Sequence, residues 1–158
     1  VGSAAIPEGC PVLNATGGGI SAAGGTISDS IVSFNTVNSG SGIALLDASG
    51  GGLFDSGRLT VTDAFITFNN LNTDPSSGTG LGVSPSTETG GGIEVAGATA
   101  FVTLNNSTVA ANFALGVVTN IHLSGGGQVD PASANNFIGV GGSGGLVNGV
   151  NGNIVLGP

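Results

Sequence analysis

The chain has 158 residues, 32 of them Gly, and nine acidic side chains against one basic side chain, for a net charge of −8. A single cation, Arg58, cannot neutralise a row of phosphates, so nucleic-acid binders and polybasic membrane-surface modules are excluded. Six Pro and no three-residue Gly period exclude collagen, and 39% apolar residues are too many for a solvated disordered polymer, which leaves an ordered, Gly-punctuated, β-rich domain.

In the N-terminal segment 1–16 the first residues, Val1 to Cys10, carry neither the basic nor the apolar region of a signal peptide, and the chain opens on Val1, as a processed or excised chain would. Cys10, the only cysteine, has no partner within the chain; it reads as a buried inert thiol, with a cross-link to another chain as the alternative. No apolar run reaches the roughly 18 residues of a membrane-spanning helix.

The first repeat opens at Gly17-Gly18-Gly19-Ile20, the second at Gly50-Gly51-Gly52-Leu53 and the third at Gly90-Gly91-Gly92-Ile93; a further triplet, Gly125–Gly127, precedes Gln128. Downstream of the first three lies a segment that aligns without gaps: Ile27–Asn35, Val61–Asn69 and Leu104–Asn112. Its columns keep their chemistry, with an aliphatic residue first, Asp or Asn third, Ser or Ala fourth, Val or Ile sixth and Asn last. The spacing from Ile27 to Val61 is 34 positions and from Val61 to Leu104 is 43. The surplus falls after the closing Asn, in Thr36–Ser49, Asn70–Thr89 and Phe113–Ser124, which places loops on one face of a stacked array.

The local pattern is strand. Alternation holds in Leu59–Thr62 and Phe101–Leu104, β-branched residues abound, and no apolar helical face runs uninterrupted by Gly or Pro. Each repeat is expected to hold three short strands separated by corners. Asn35, Asn69 and Asn112 are expected above one another, in a left-handed corner conformation that Asn tolerates. Val32 with Phe34, Ile66 with Phe68, Val109 with Ala111, and Leu59, Val61, Val102 and Leu104 are expected to face inward. The chain 1–158 is thus expected to be a single all-β solenoid domain, with repeats 17–49, 50–89 and 90–124 and a degenerate final rung 125–158. Four or five rungs about 4.8 Å apart make a rod roughly 20 Å long, whose two ends need a cap or a neighbour.

At these residues, best in Gly90–Asn112 and then in Gly17–Asn35 and Gly50–Asn69, the chain resembles the right-handed parallel β-helix surface proteins of bacteria. Those are the polymorphic outer-membrane-protein-like repeats and related secreted passengers, whose closing part Asn135–Gly139 and Asn148–Ile154 also resemble. The resemblance implies a short right-handed parallel β-helix and an extracellular, cell-surface location. It implies no chemistry.

Catalytic sets are not assembled by spacing. Arg58 follows Asp55-Ser56-Gly57 and reads as a salt-bridge partner of Asp55. Asp29 and Asp63 share a column with Asn106, which marks a turn-capping position rather than a carboxylate pair acting on a sugar. His122 has no nearby nucleophile in a recognised context and reads as a surface or loop histidine. The Gly triplets lack the Lys and Ser/Thr of a phosphate loop, and one His and one Cys far apart make no zinc site. Asn14, Asn105 and Asn106 stand in N-x-S/T sequons, relevant only in a eukaryotic secretory pathway. No catalytic, cofactor-binding or metal residue is therefore assigned, and no cofactor. The expected function is structural and non-enzymatic: a subunit that associates with itself head to tail, into a filament or surface layer, with Val1–Asn14 or Ile154-Val155-Leu156 lending a strand to a neighbour. The alternative is an adhesin-like passenger fragment that meets a host surface or glycan through its loops, Asn70–Thr89 above all, although the Trp and Tyr platforms usual for sugars are missing. Ice binding would need a Thr array, and Thr60-Val61-Thr62 is the one T-x-T in the repeat strands.

Overall fold

The computed structural model describes residues 13–38, 45–72 and 87–157, and within them the chain is all-β. The first repeat contributes β1 (Leu13–Thr16), β2 (Ile20–Ser28), β3 (Ile31–Ser33) and β4 (Thr36–Asn38). The second contributes β5 (Leu45–Ser49), β6 (Leu53–Thr62), β7 (Phe65–Thr67) and β8 (Asn70–Asn72). The third contributes β9 (Thr87–Thr89), β10 (Ile93–Ala96), β11 (Phe101–Asn105), β12 (Thr108–Ala110) and β13 (Phe113–Ala114). The last part holds β14 (Val117–Val118), β15 (Ile121–Ser124), β16 (Gln128–Val129), β17 (Phe137–Ile138) and β18 (Ile154–Val155).

Equivalent strands of successive repeats pair in parallel, so the repeats lie as layers across four sheets. Sheet A is β1-β5-β9, sheet B gathers β2, β6, β10, β11, β15 and β16, sheet C runs β3-β7-β12-β17-β18, and sheet D runs β4-β8-β13 and ends on an antiparallel β14. The expected three strands per repeat give way to this arrangement for two reasons. Sequence from Ile20 to Ser28 forms one continuous strand rather than two, and short alternating runs inside the surplus segments, such as Thr36-Val37-Asn38, find parallel partners one layer away.

Register puts like on like. Val32, Ile66, Val109 and Ile138 stack inside sheet C, and Leu53 with Ile93 and Ile121 stack inside sheet B. These side chains, with Leu59, Val61, Val102 and Leu104, are buried as expected and form the main core. Each contributes roughly 1.5–3 kcal/mol by leaving water. A smaller cluster of Ala48, Leu71 and Ala114 fills the space between sheets A and D.

Two left-handed residues bracket each of β3, β7 and β12, and one stands ahead of β17. Asp29, Asp63, Asn106 and Asn135 have φ between 49° and 57°, and Phe34, Phe68 and Ala111 between 53° and 57°. The left-handed conformation expected at Asn35, Asn69 and Asn112 thus falls on the preceding residue. It also breaks the period-2 alternation, so Phe34 and Phe68 point outward, 75% and 52% exposed, and not into the core as expected. Their rings stack on each other, centroids 5.3 Å apart.

The closing asparagines form a column, as the repeat predicts. Asn35 donates from Nδ2 and from its backbone N–H to Asn69 Oδ1 (2.9 and 3.1 Å), Asn69 repeats both bonds to Asn112 (2.9 and 3.0 Å), and Asn112 to Asn120 (3.0 and 3.2 Å). The third Gly of each triplet lies against these amides: a Cβ on Gly19, Gly52 or Gly92 would stand 2.6 Å from the Nδ2 of Asn35, Asn69 or Asn112. Gly triplet and closing Asn, far apart in sequence, are therefore two halves of one corner.

Beyond Asn112 the plan contracts. A tight hairpin of β13 and β14 replaces the surplus segment, and Ile121 pairs with Ile93, so the fourth layer begins near Thr119 rather than at Gly125. Gly125–Gly127 consequently sits at a different corner from the other triplets, beside Gly97 and Ala98. The segment Ile154-Val155, expected to serve a neighbour, forms β18 against β17 of its own chain.

Candidate functional site

Ionisable side chains are few, and sheet B carries Arg58, Glu94 and His122 on its outer face and Asp55 on its inner face. Glu94 alternates outward between the inward Ile93 and Val95, yet it is 1% exposed. The parallel register sets it beside His122 of the next layer, whose Nδ1 lies 2.8 Å from Glu94 Oε2. Ser124, on the same face of β15, donates its hydroxyl to Glu94 Oε1 at 2.5 Å. The expectation from sequence for His122 is a surface or loop histidine with no nucleophile nearby. Here it stands on a strand, partly exposed, because register rather than sequence proximity delivers the carboxylate. The Ser124 hydroxyl bonds the carboxylate and not the imidazole, so the three groups form a carboxylate-centred cluster rather than a serine–histidine relay.

Asp55 occupies an inward position of β6 and is fully buried. One carboxylate oxygen accepts the Gly57 N–H at 3.1 Å, and the other has no partner. Burial pushes its carboxyl above the ordinary value, opposed by that backbone hydrogen bond. The expected Asp55–Arg58 salt bridge does not form. Arg58 faces outward with its guanidinium 5.1 Å from the centroid of the Phe101 ring, because the two side chains leave opposite faces of the strand.

Asp29, Asp63 and Asn106 all stand at corners in the left-handed conformation, and Asn135 takes the same conformation one layer on. Asn106 Nδ2 bonds Asp63 Oδ1 across one layer. Nothing brings Asp29 and Asp63 round a common sugar-sized space. Among the described residues no group of three or more His, Cys, Asp or Glu is placed to hold a metal ion, and no helix is long and apolar enough to cross a membrane. Cys10 and most of Asn70–Thr89 lie outside the described residues.

Two surface arrangements escaped the sequence reading. Register aligns Thr26, Thr60 and Thr103 in one outward row of sheet B and Ser28, Thr62 and Asn105 in the next. A single T-x-T thus becomes a small hydroxyl array, although the Thr103 hydroxyl is taken by Asp130 Oδ2 at 3.0 Å. On sheet C the first outward row is instead Ile31, Phe65, Thr108, Phe137 and Ile154. A shallow groove on that face is lined by Phe65, Thr108 and Phe137 and by the polar side chains of Asp63, Asn106 and Asn135. Its signal in the sequence is the fifth column of the nine-residue alignment, Ile31, Phe65 and Thr108.

Comparison with known protein families, with curated proteins and with solved structures finds no match.

Proposed function

We propose that the chain is a non-enzymatic structural protein of the extracellular surface, a short right-handed parallel β-solenoid that associates end to end with further copies of itself. The reading is carried by one observation: the strands of the first layer, β1, β2, β3 and β4, all lie on the same side of the strands they pair with, and among the described residues each has a partner in the second layer only. The inward residues of β2, Ile20, Ala22 and Ile27, are only partly buried, whereas their counterparts in β6 are buried. Strand edges and core apolar surface at one end are what another β-structured layer would cover.

Sparse charge favours the same reading, since few ionic groups oppose association of the remaining surface. The far end is built differently: its strands β14, β16 and β18 are two residues long, and Leu146 is packed into the core. Unlike ends make a heterologous contact, which repeats into a filament when it does not close. The test is sedimentation velocity and electron microscopy of the chain over a concentration series. Rods that lengthen in steps of roughly 20 Å, the height of the stack, are expected. Monodisperse single particles at every concentration would refute the proposal.

A further inference from the structure

The outward row of sheet C differs from the two hydroxyl-bearing rows of sheet B. Those rows, Thr26-Thr60-Thr103 and Ser28-Thr62-Asn105, are polar, but on sheet C the row reads Ile31, Phe65, Thr108, Phe137 and Ile154, with the four apolar members 75%, 55%, 37% and 54% exposed. Exposed apolar rows of this kind mark an interaction surface.

Its shape limits the occupant. Five strands about 4.8 Å apart, three of them three residues long and two of them two, make a strip of about 19 by 10 Å at its widest. A protein partner in a stable complex needs about 800 Å² per side, several times that footprint. A narrow strip suits a narrow, extended ligand lying along the stack. Its chemistry limits the occupant further. Phe65 and Phe137 stand two layers apart, about 9.6 Å, with only the small Thr108 between them, so two flat apolar platforms face out in line. Beside them run Asp63, Asn106 and Asn135, and the Asn106–Asp63 bond fixes both side chains while leaving a carboxylate oxygen, an amide oxygen and an amide hydrogen for a ligand. Platforms for the C–H faces of rings, flanked by planar donors and acceptors, match a ligand that is apolar above and below and hydroxylated at its rim. The net charge of −8 and the carboxylate at the strip's edge repel a polyanion.

We propose that this face binds a neutral, extended β-linked oligosaccharide, stacked on Phe65 and Phe137 and hydrogen-bonded at its edge by Asp63, Asn106 and Asn135. The site is the sheet itself and not the long loops, and it is independent of end-to-end association.

The experiment is a ¹⁵N-resolved titration of the chain with cellohexaose, xylohexaose, mannohexaose and chitohexaose, with hexagalacturonate as the anionic comparison. At least one neutral hexaose is expected to shift the amides of residues 63–68, 106–108 and 135–137 in a saturable way, and hexagalacturonate to leave them unmoved. Phe65→Ala and Phe137→Ala, both at outward positions, are each expected to weaken binding about tenfold, while Thr60→Ala on sheet B leaves it unchanged. No saturable shift with any of the neutral hexaoses, shifts confined to other residues, or tighter binding of the anion overturns the proposal. So does a result in which the two Phe variants abolish self-association in sedimentation while no sugar binds, which would make the strip a face between copies.

Discussion

Asn69 shows what one residue does in this stack. It is fully buried, its Oδ1 accepts two bonds from Asn35, and its Nδ2 donates to Asn112 Oδ1 and to the Val32 carbonyl at 2.9 Å each. Every polar valence of the amide is used, so its removal orphans groups on both neighbouring layers. Asn69→Ala is expected to cost about 3 kcal/mol or more, read as a fall of roughly 6–12 °C in melting temperature. Asp55 behaves in the opposite sense. Its folded carboxyl titrates above the unfolded value of 3.8, so as pH rises past that value the unfolded chain releases a proton that the folded chain retains. Stability from this group is therefore present at low pH and lost as pH rises through the folded value. Asp55→Asn keeps an acceptor for the Gly57 N–H and removes the titration. Thermal melts should show the variant more stable than the parent at pH 7, by about 1–3 kcal/mol, with the difference closing near pH 3.

At the scale of elements, the three-residue strands of sheet C expose how corners override alternation. Ile66 is fully buried and Phe68, two positions on, is half exposed, because the left-handed backbone at Phe68 turns its side chain away from the core. Denaturant unfolding should separate them: Ile66→Ala is expected to cost 2–5 kcal/mol, and Phe68→Ala, which loses only a surface ring stack, less than about 1 kcal/mol. Gly52→Ala tests the corner from its other half, since the new Cβ would meet Asn69 Nδ2 at 2.6 Å and the Gly92 carbonyl at 2.8 Å; a loss of about 1–3 kcal/mol is expected in the same assay. Strand character, the inward aliphatic columns and the stacked asparagines were all legible in the repeat, because a period repeated in sequence fixes which residues meet between layers. Where the fourth layer begins was not, since a hairpin too short to stand out at Phe113–Val118 resets the count. The Glu94–His122 pair and the Phe65–Phe137 row were hidden for a related reason. Their members are brought together by register across layers of unequal length, and no local pattern within either strand reports its neighbour.

For the whole molecule, the net charge of −8 with one arginine means that copies repel at a distance and carry almost no cation with which to pair. The association proposed through strand edges and apolar surface must overcome that repulsion, so added salt should strengthen it: the sedimentation series is expected to shift towards longer species between 0.05 and 0.5 M NaCl, where the screening length falls from about 14 to about 4 Å. An assembly held by ion pairs would weaken instead. The asparagine column adds a constraint on how copies can join. From Asn35 to Asn120 every amide donates in the same sense along the stack, and Asn120 continues it to the Val140 carbonyl. The interior is thus a row of aligned dipoles with an acceptor head and a donor tail. Among the described residues Asn35 is its head, so a unit arriving there prolongs the row only if it presents an N–H to Asn35 Oδ1. A copy added upside down would set acceptor against acceptor. The compass that orients growth would then lie in the amides of the core rather than in any charge on the surface.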